Sequence, residues 1–374
     1  MKVLYDHQIF TNQIYGGISR YFCELIKHFE NHDEIECEVS LKYSNNNYLK
    51  KLNNLSYRTF LENYSFKGKY RLLSIINEKI NRKISEKKLL KGDFDIFHPT
   101  YYNPYFLNYL NNKPFILTIY DMIHEIYSDM FPIKDETSKR KKLLAQKATK
   151  IIAISENTKK DIVKYLNIAE SKIEVIYLGN SFDISSNHNN LNTTLPKLPK
   201  KYILFVGSRK VYKNFNLFIE AISTLLIEDN ELFIVCAGGG NFSNKEIGKF
   251  KKLNIKDKIF CYLANDSILA YLYQKATAFV SPSIYEGFGI PILESFVCRC
   301  PLICSKTSSF PEVAGDAAIY FDPTDKLSML NSIKKVIYND ELKKQLINKG
   351  IERVKKFTWK KTAEKTKKLY EEIL

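Results

Sequence analysis

Short apolar runs rich in β-branched residues alternate with helical patterns along the whole chain. The runs fall at residues 2–6, 36–42, 94–98, 115–120, 150–154 and 173–177, and again at 202–207, 232–237, 258–263, 277–281, 302–305 and 318–321. Strands separated by helix-length segments are too far apart in sequence for hairpins, so the pattern predicts strand–helix units with parallel sheets. A stretch rich in Ser, Asn and Thr, closed by Pro196 and Pro199, interrupts the alternation, which then restarts. The reading is an α/β chain of two Rossmann-like domains facing a central cleft. The first covers residues 1–179, a linker covers 180–200 and the second covers 201–355. A charged helical segment follows at 356–374. No short repeat, coiled coil or long low-complexity tract interrupts this scheme.

Composition narrows the class. At 374 residues, 45% hydrophobic and 26% charged, the chain is a folded protein too long for one ordinary core. No apolar run reaches the ~20 residues of a membrane span. The sequence enters its first predicted strand without a leader, which predicts a cytoplasmic location. Seven cysteines, an odd number, suit a reducing compartment. Cys298, Cys300 and Cys304 lack paired metal-ligand spacing and a neighbouring His, so they read as buried thiols. The net charge of +16 is uneven, with twelve Lys or Arg against three Glu between residues 50 and 91. Tyr64, Phe66, Tyr70, Leu72, Leu73, Ile75 and Ile76 interleave them. Such a segment suits an anionic membrane surface, each nearby cation contributing up to about 1 kcal/mol. A solvated helix face is the alternative, and nucleic acid is the least favoured partner.

The most informative chemistry lies between residues 281 and 295. Glu286 and Glu294 bracket the turn Gly287-Phe288-Gly289-Ile290, and Pro291 follows as an early helical residue, where its missing N–H has no partner to lose. The glycines let the backbone approach a ligand, so free amides at the helix start can face an anion. The acids on either side can accept hydrogen bonds from hydroxyls. A ligand that is part diphosphate and part polyol fits, and a nucleotide sugar is one.

This segment resembles the E-x7-E signature of glycosyltransferase family 4, retaining enzymes of the GT-B fold. The match extends through LAYLYQKA (269–276), FVSPS (279–283), SFPEVAG (309–315) and Phe321-Asp322-Pro323. It covers much of residues 200–325 and, more thinly, 1–180. The resemblance implies a metal-independent transferase that moves a sugar from a GDP- or UDP-sugar to a glycan acceptor, lipid-linked, in bacterial O-antigen, lipopolysaccharide or capsule synthesis. It implies no cofactor. It also implies a terminal helix that crosses back to the first domain, while the basic segment 50–91 suggests a peripheral place at the inner membrane face. A nucleotide-sugar 2-epimerase of the same fold is one alternative. A basic nucleic-acid-binding or scaffold protein is another.

The same resemblance assigns roles. After the strand that ends at Gly207, Arg209 and Lys213 fall on the donor diphosphate, with Lys210 as a substitute for Lys213. Two fixed cations there would offset the charge that develops on a departing phosphate. Glu286 falls on the transferred sugar, Glu294 on the ribose, and Tyr262-Leu263 on the base. Gly16 and Gly17 lie beside the donor phosphates. Asp6, His7, Gln8 and Arg20 line the acceptor side. Relatives carry His-Asp where this chain has Tyr120-Asp121, so His124 is a possible substitute for the missing His and Asp121 remains in the cleft. Arg299 stands where relatives have Gly, a position suited to positive φ. Asp93-Phe94-Asp95 superficially matches a metal-binding D-x-D but reads as the lead-in to a strand.

Overall fold

The computed structural model describes residues 1–30, 35–52, 57–59, 69–182 and 197–374. Residues 60–68 of the basic segment and 183–196 of the linker lie outside the described residues. The chain divides into two compact units, Met1–Leu178 with Trp359–Leu374, and Gly179–Thr358.

The first unit contains β1 (Lys2–Tyr5), β2 (Glu36–Val39), β3 (Ile96–His98), β4 (Ile116–Ile119), β5 (Lys150–Ala153) and β6 (Ile173–Val175). They pair in parallel as β2-β1-β3 and β4-β5-β6, and a parallel bridge between Phe97 and Phe115 links the two sets. Val3, Leu4, Ile96, Phe97, Ile116, Leu117, Ile151 and Ile152 are all buried. Continuous apolar strands of this kind are stable only where helices cover both faces. Helix Gly17–Glu30 supplies one cover through Tyr21, Phe22, Leu25, Ile26 and Phe29. Helix Trp359–Glu371 packs on it, Trp359 meeting Tyr21 and Tyr370 meeting Phe29. Beneath these rings the imidazole of His98 bridges the Tyr370 hydroxyl (2.6 Å from Nδ1) and Thr118 Oγ1 (2.8 Å from Nε2). The Tyr370 hydroxyl also lies 3.0 Å from that of Tyr5. Burial holds His98 neutral, its pKa lowered to about 3.

The second unit contains β7 (Lys201–Val206), β8 (Leu232–Ala237), β9 (Ile259–Tyr262), β10 (Ala278–Ser281), β11 (Leu302–Ser305) and β12 (Ala318–Phe321). All are parallel, in the order β12-β11-β10-β7-β8-β9. Chain order runs outward from the centre in both directions, so the topology switches between β7 and β10, where open sheets of this class bind ligands. Ile203, Phe205, Ile234 and Val280 from the strands meet Phe218, Ile222, Met329 and Ile333 from the helices in one core. The α/β architecture with parallel sheets is the one the alternation predicts, and each observed strand overlaps a predicted run. The charged segment after residue 339 is two helices, Asp340–Val354 and Trp359–Glu371. Among the described residues no helix is long and apolar enough to cross a membrane.

Candidate active site

The residues of interest in the second unit gather at the carboxyl ends of β7 and β10. β7 runs into Gly207, whose φ of +121° turns the chain sharply. A short 3₁₀ turn, Val211–Lys213, then delivers Lys213, and Asn214 in the left-handed region starts helix Phe215–Glu228. Lys213 Nζ pairs with Glu286 Oε1, and Ser283 Oγ donates to the same oxygen at 2.7 Å. Their side chains are 17% and 18% exposed, so the pair is held largely out of water. The Glu286 backbone is pinned as well, its N–H donating to Ser308 Oγ (3.0 Å) and its carbonyl accepting from Ser309 Oγ (2.9 Å).

Three residues on, Gly289 begins helix Ile290–Val297 with φ +92°. A Cβ there would lie 2.8 Å from Phe310 Cε1, so both backbone and space demand glycine. Pro291 occupies the first turn of the helix, whose leading amides have no intrahelical acceptor. Phe288 is buried. Glu294, 4% exposed, accepts a hydrogen bond from the Tyr273 hydroxyl at 3.2 Å. Burial, then the charge of Glu294, raises the Tyr273 pKa well above its ordinary value. At the end of β9, Tyr262 donates to the Lys197 carbonyl (2.9 Å), while Leu263 is 77% exposed.

Arg209, which follows β7, is held by several partners. Its Nε donates to Glu246 Oε1 (2.5 Å), Nη1 to the Gly238 carbonyl (3.0 Å), and Nη2 to those of Gly240 (3.0 Å) and Asn241 (2.9 Å). Its side chain is 5% exposed, and Phe242 and Phe215 lie against the guanidinium at 4.8 and 5.9 Å. Gly238, Gly239 and Gly240 all have positive φ. A Cβ on Gly239 would meet Arg209 Nη1 at 2.9 Å, so the loop after β8 is moulded around this side chain. Glu246 also closes a capping box with Ser243 on helix Asn244–Lys252. Burial opposes its ionisation, but hydrogen bonds from Ser243 and Arg209 outweigh that and hold its pKa below the usual range.

In the first unit, Gly16 and Gly17 open helix Gly17–Glu30. A Cβ on Gly16 would strike the Gln13 side chain at 2.2 Å, and Gln13 Oε1 accepts from the Ser19 amide at 3.2 Å. Asp6 is wholly buried and accepts from Thr100 N (2.8 Å), Thr100 Oγ1 (2.6 Å) and Gln8 Nε2 (2.6 Å). It therefore ties β1 to the segment after β3. His7 is also buried, with Nε2 3.3 Å from Glu78 Oε2. Arg20 donates to the Tyr48 hydroxyl at 2.6 Å. Tyr120 is buried, and its hydroxyl has no hydrogen-bond partner among the described residues. Asp121 Oδ1 accepts from Ile123 N at 3.1 Å, and His124 stacks on Phe131 at 3.9 Å and lies 3.8 Å from Asp135. Asp93 and Asp95 bind Lys2 at the amino end of β1, through Nζ (3.1 Å) and the backbone N–H (2.7 Å). Arg299 has φ +55°. Cys298, Cys300 and Cys304 are buried thiols, their pKa values raised by burial.

The sequence matches two family descriptions in tandem, Glycosyltransferase Family 4 over residues 15–181 and Glycosyl transferases group 1 over 188–353. The chain belongs to glycosyltransferase family 4. Among curated relatives, O-antigen chain mannosyltransferase B of Escherichia coli is 28% identical over 59% of this chain and 60% of its own length. O-antigen chain mannosyltransferase RfbU of Salmonella typhimurium is 31% identical over 59% and 60%. The chain thus spans less than two thirds of the length of these relatives. The crystal structure of a glycosyltransferase from Rickettsia africae superimposes with a TM-score of 0.72 at 19% identity, covering 100% of this chain and 98% of that one, and shares the fold.

Family patterns alone did not single out several residues that shape the site. Ser283, Ser308 and Ser309 fix Glu286, and Glu246 with the triple glycine fixes Arg209. The run Gly238-Gly239-Gly240 was a visible signal, since three successive glycines after a strand mark a backbone that must take left-handed conformations. Ser283 and Ser309 lie in the matched motifs FVSPS and SFPEVAG, but nothing there tied them to Glu286. In the first unit, buried Lys141 donates to the Asp121 carbonyl (2.8 Å) and to Glu125 (2.9 Å), anchoring the loop that carries Tyr120 and Asp121.

Proposed function

We propose that the protein is a retaining glycosyltransferase that needs no metal and moves a hexosyl residue, mannose first among them, from a nucleotide sugar to a glycan acceptor. The acceptor is lipid-linked and belongs to bacterial surface polysaccharide of the O-antigen or capsule kind. The observation that carries the proposal is the Lys213–Glu286 pair, set at the switch point between β7 and β10 beside the helix start at Gly289. Breaking the bond between the sugar and phosphate leaves charge on the departing oxygen. A fixed ammonium and the Gly287–Ile290 amides suit that charge because they need no reorganisation as it forms. With no donor present Glu286 neutralises Lys213. An incoming diphosphate competes for the ammonium and leaves the carboxylate to sugar hydroxyls. Glu294 takes the ribose and exposed Leu263 a face of the base. Arg209, paired with Glu246 as Lys213 is with Glu286, is the second cation for the diphosphate. Gly16 and Gly17 in the first unit serve the donor phosphates, and Asp121 the sugar and acceptor side. The O-antigen roles named for the relatives favour mannosyl transfer.

Helix Lys69–Lys91 exposes Lys79, Arg82, Lys83, Lys87 and Lys91 with Ile75 and Leu90, which favours a peripheral position on anionic membrane.

The test is Lys213→Ala with GDP- and UDP-sugars and a glycan acceptor. Turnover falls roughly 10²-fold or more, the scale of losing one stabiliser of transition-state charge. Near-normal turnover removes the assignment. A chelator leaves wild-type turnover unchanged, whereas strict dependence on added Mg²⁺ or Mn²⁺ removes the metal-free reading.

A further inference from the structure

Tyr273 is wholly buried, yet it carries a hydroxyl that an apolar core does not need. Its ring is clamped edge to face by Phe279 of β10, at 5.2 Å between centroids, and by Phe182 at 6.3 Å. The last turn of its own helix, Asp266–Lys275, is held as well, since the Tyr202 hydroxyl donates to the Leu272 carbonyl at 2.7 Å. The phenol is therefore aimed at one place, the first two turns of helix Ile290–Val297. There its oxygen lies 3.2 Å from Glu294 Oε2 and 3.3 Å from the Pro291 carbonyl. Pro291 and Glu294 are three residues apart and share one helix face.

A phenol has one proton to give. Between a neutral carbonyl and a carboxylate at similar reach, the charge makes the carboxylate the stronger acceptor. Burial, then the charge of Glu294, keeps the phenol protonated, so it remains a donor. A carboxylate has about four lone-pair sites, so one rigid donor fixes its plane and leaves acceptor capacity for ligand hydroxyls. The helix that carries Tyr273 begins shortly after Tyr262 and Leu263, where Asn265 caps it by accepting from the Ile268 amide at 2.9 Å. One helix thus joins the segment proposed to meet the base to the side chain that holds the ribose acid. We infer that Tyr273 is a positioning residue for ribose recognition, holding Glu294 in the orientation that accepts from the ribose hydroxyls. The inference rests on the proposed nucleotide-sugar reading and adds what aligns the acid within it.

Titration calorimetry on the whole chain with GDP, UDP and their 2′,3′-dideoxy counterparts tests the inference. The wild type binds at least one ribonucleotide roughly tenfold or more tighter than its dideoxy form, the scale of a charged hydrogen bond. Tyr273→Phe keeps both ring contacts and lowers that preference by about threefold or more, while its affinity for the dideoxy form stays at the wild-type value. Glu294→Gln lowers the preference too, and adding Tyr273→Phe to it lowers it no further, since the hydroxyl acts through the acid. The inference is overturned if wild type and Tyr273→Phe show the same preference. It is overturned if Tyr273→Phe weakens both forms equally, which would assign the hydroxyl to Pro291 and the helix start, or binds neither, which would make it a group that holds the fold. A wild type that binds ribose and dideoxy forms alike removes Glu294 from the ribose, and Tyr273 with it, while the transferase reading stands. A wild type that binds no nucleoside diphosphate removes that reading and the inference together.

Discussion

Acidification should loosen the first unit through His98, and the size of the effect follows from its burial. The imidazole is fully buried between Tyr370 and Thr118, with its pKa lowered from 6.5 to about 3. Between those values the unfolded chain holds a proton that the folded chain rejects. Stability is therefore complete above pH 6.5 and is lost as pH falls through that value, levelling off near 3. At pH 5 the loss from this one group is about 2 kcal/mol, taking 1.36 kcal/mol per pKa unit. The assay is intrinsic to the molecule. Trp359 is the single tryptophan, sits on the helix that covers this network, and is 9% exposed. Its emission during urea titration at pH 7 and pH 5 reports the first unit. With a urea slope of about 2 kcal/mol per molar, the wild-type midpoint drops by about 1 M. Other groups titrate as well, so the decisive quantity is the difference from His98→Asn. That variant starts less stable and loses about 2 kcal/mol less between the two pH values. An equal loss in the two proteins would refute the argument.

Lys141→Met should cost about 3 kcal/mol, because it strands Glu125, whose side chain is 5% exposed. The double variant Lys141→Met/Glu125→Leu should recover much of that in thermal melts, and no recovery would mean that the lysine acts through packing alone. Arg209→Met should destabilise the second unit by about 2–3 kcal/mol, since Glu246 and the loop carbonyls lose their donors. An unchanged denaturation midpoint would mean that these contacts add nothing to stability.

The sheets were legible in the sequence because a strand buried on two faces must be apolar, and runs such as residues 202–206 and 278–280 are. Their lateral order was not legible. Nothing local tells β7 to pair with β10 as well as β8, because that choice is made by helix packing across the sheet. The Gly287–Gly289 turn announced itself through backbone chemistry that only glycine performs easily. The partnership of Lys213 with Glu286, 73 residues away, follows from the switch point and so was accessible only through resemblance. The resemblance put Arg209 on the donor diphosphate, but its partners, a carboxylate 37 residues further on and a glycine loop, were not legible. The Tyr120 substitution was visible, but the burial of its hydroxyl was not, since that depends on Tyr21 and Tyr102 packing beside it.

The return of residues 359–371 to the first unit makes that unit discontinuous along the chain, while the second is an uninterrupted stretch. Translation therefore delivers every part of the second unit before Tyr370 exists to meet His98 and Tyr5. The nascent amino-terminal half must wait on the ribosome with that polar cluster incomplete, and the inserted half has the opportunity to mature first. A stop codon in place of Trp359 would then spare a self-contained inner module and leave the outer one permanently unsealed.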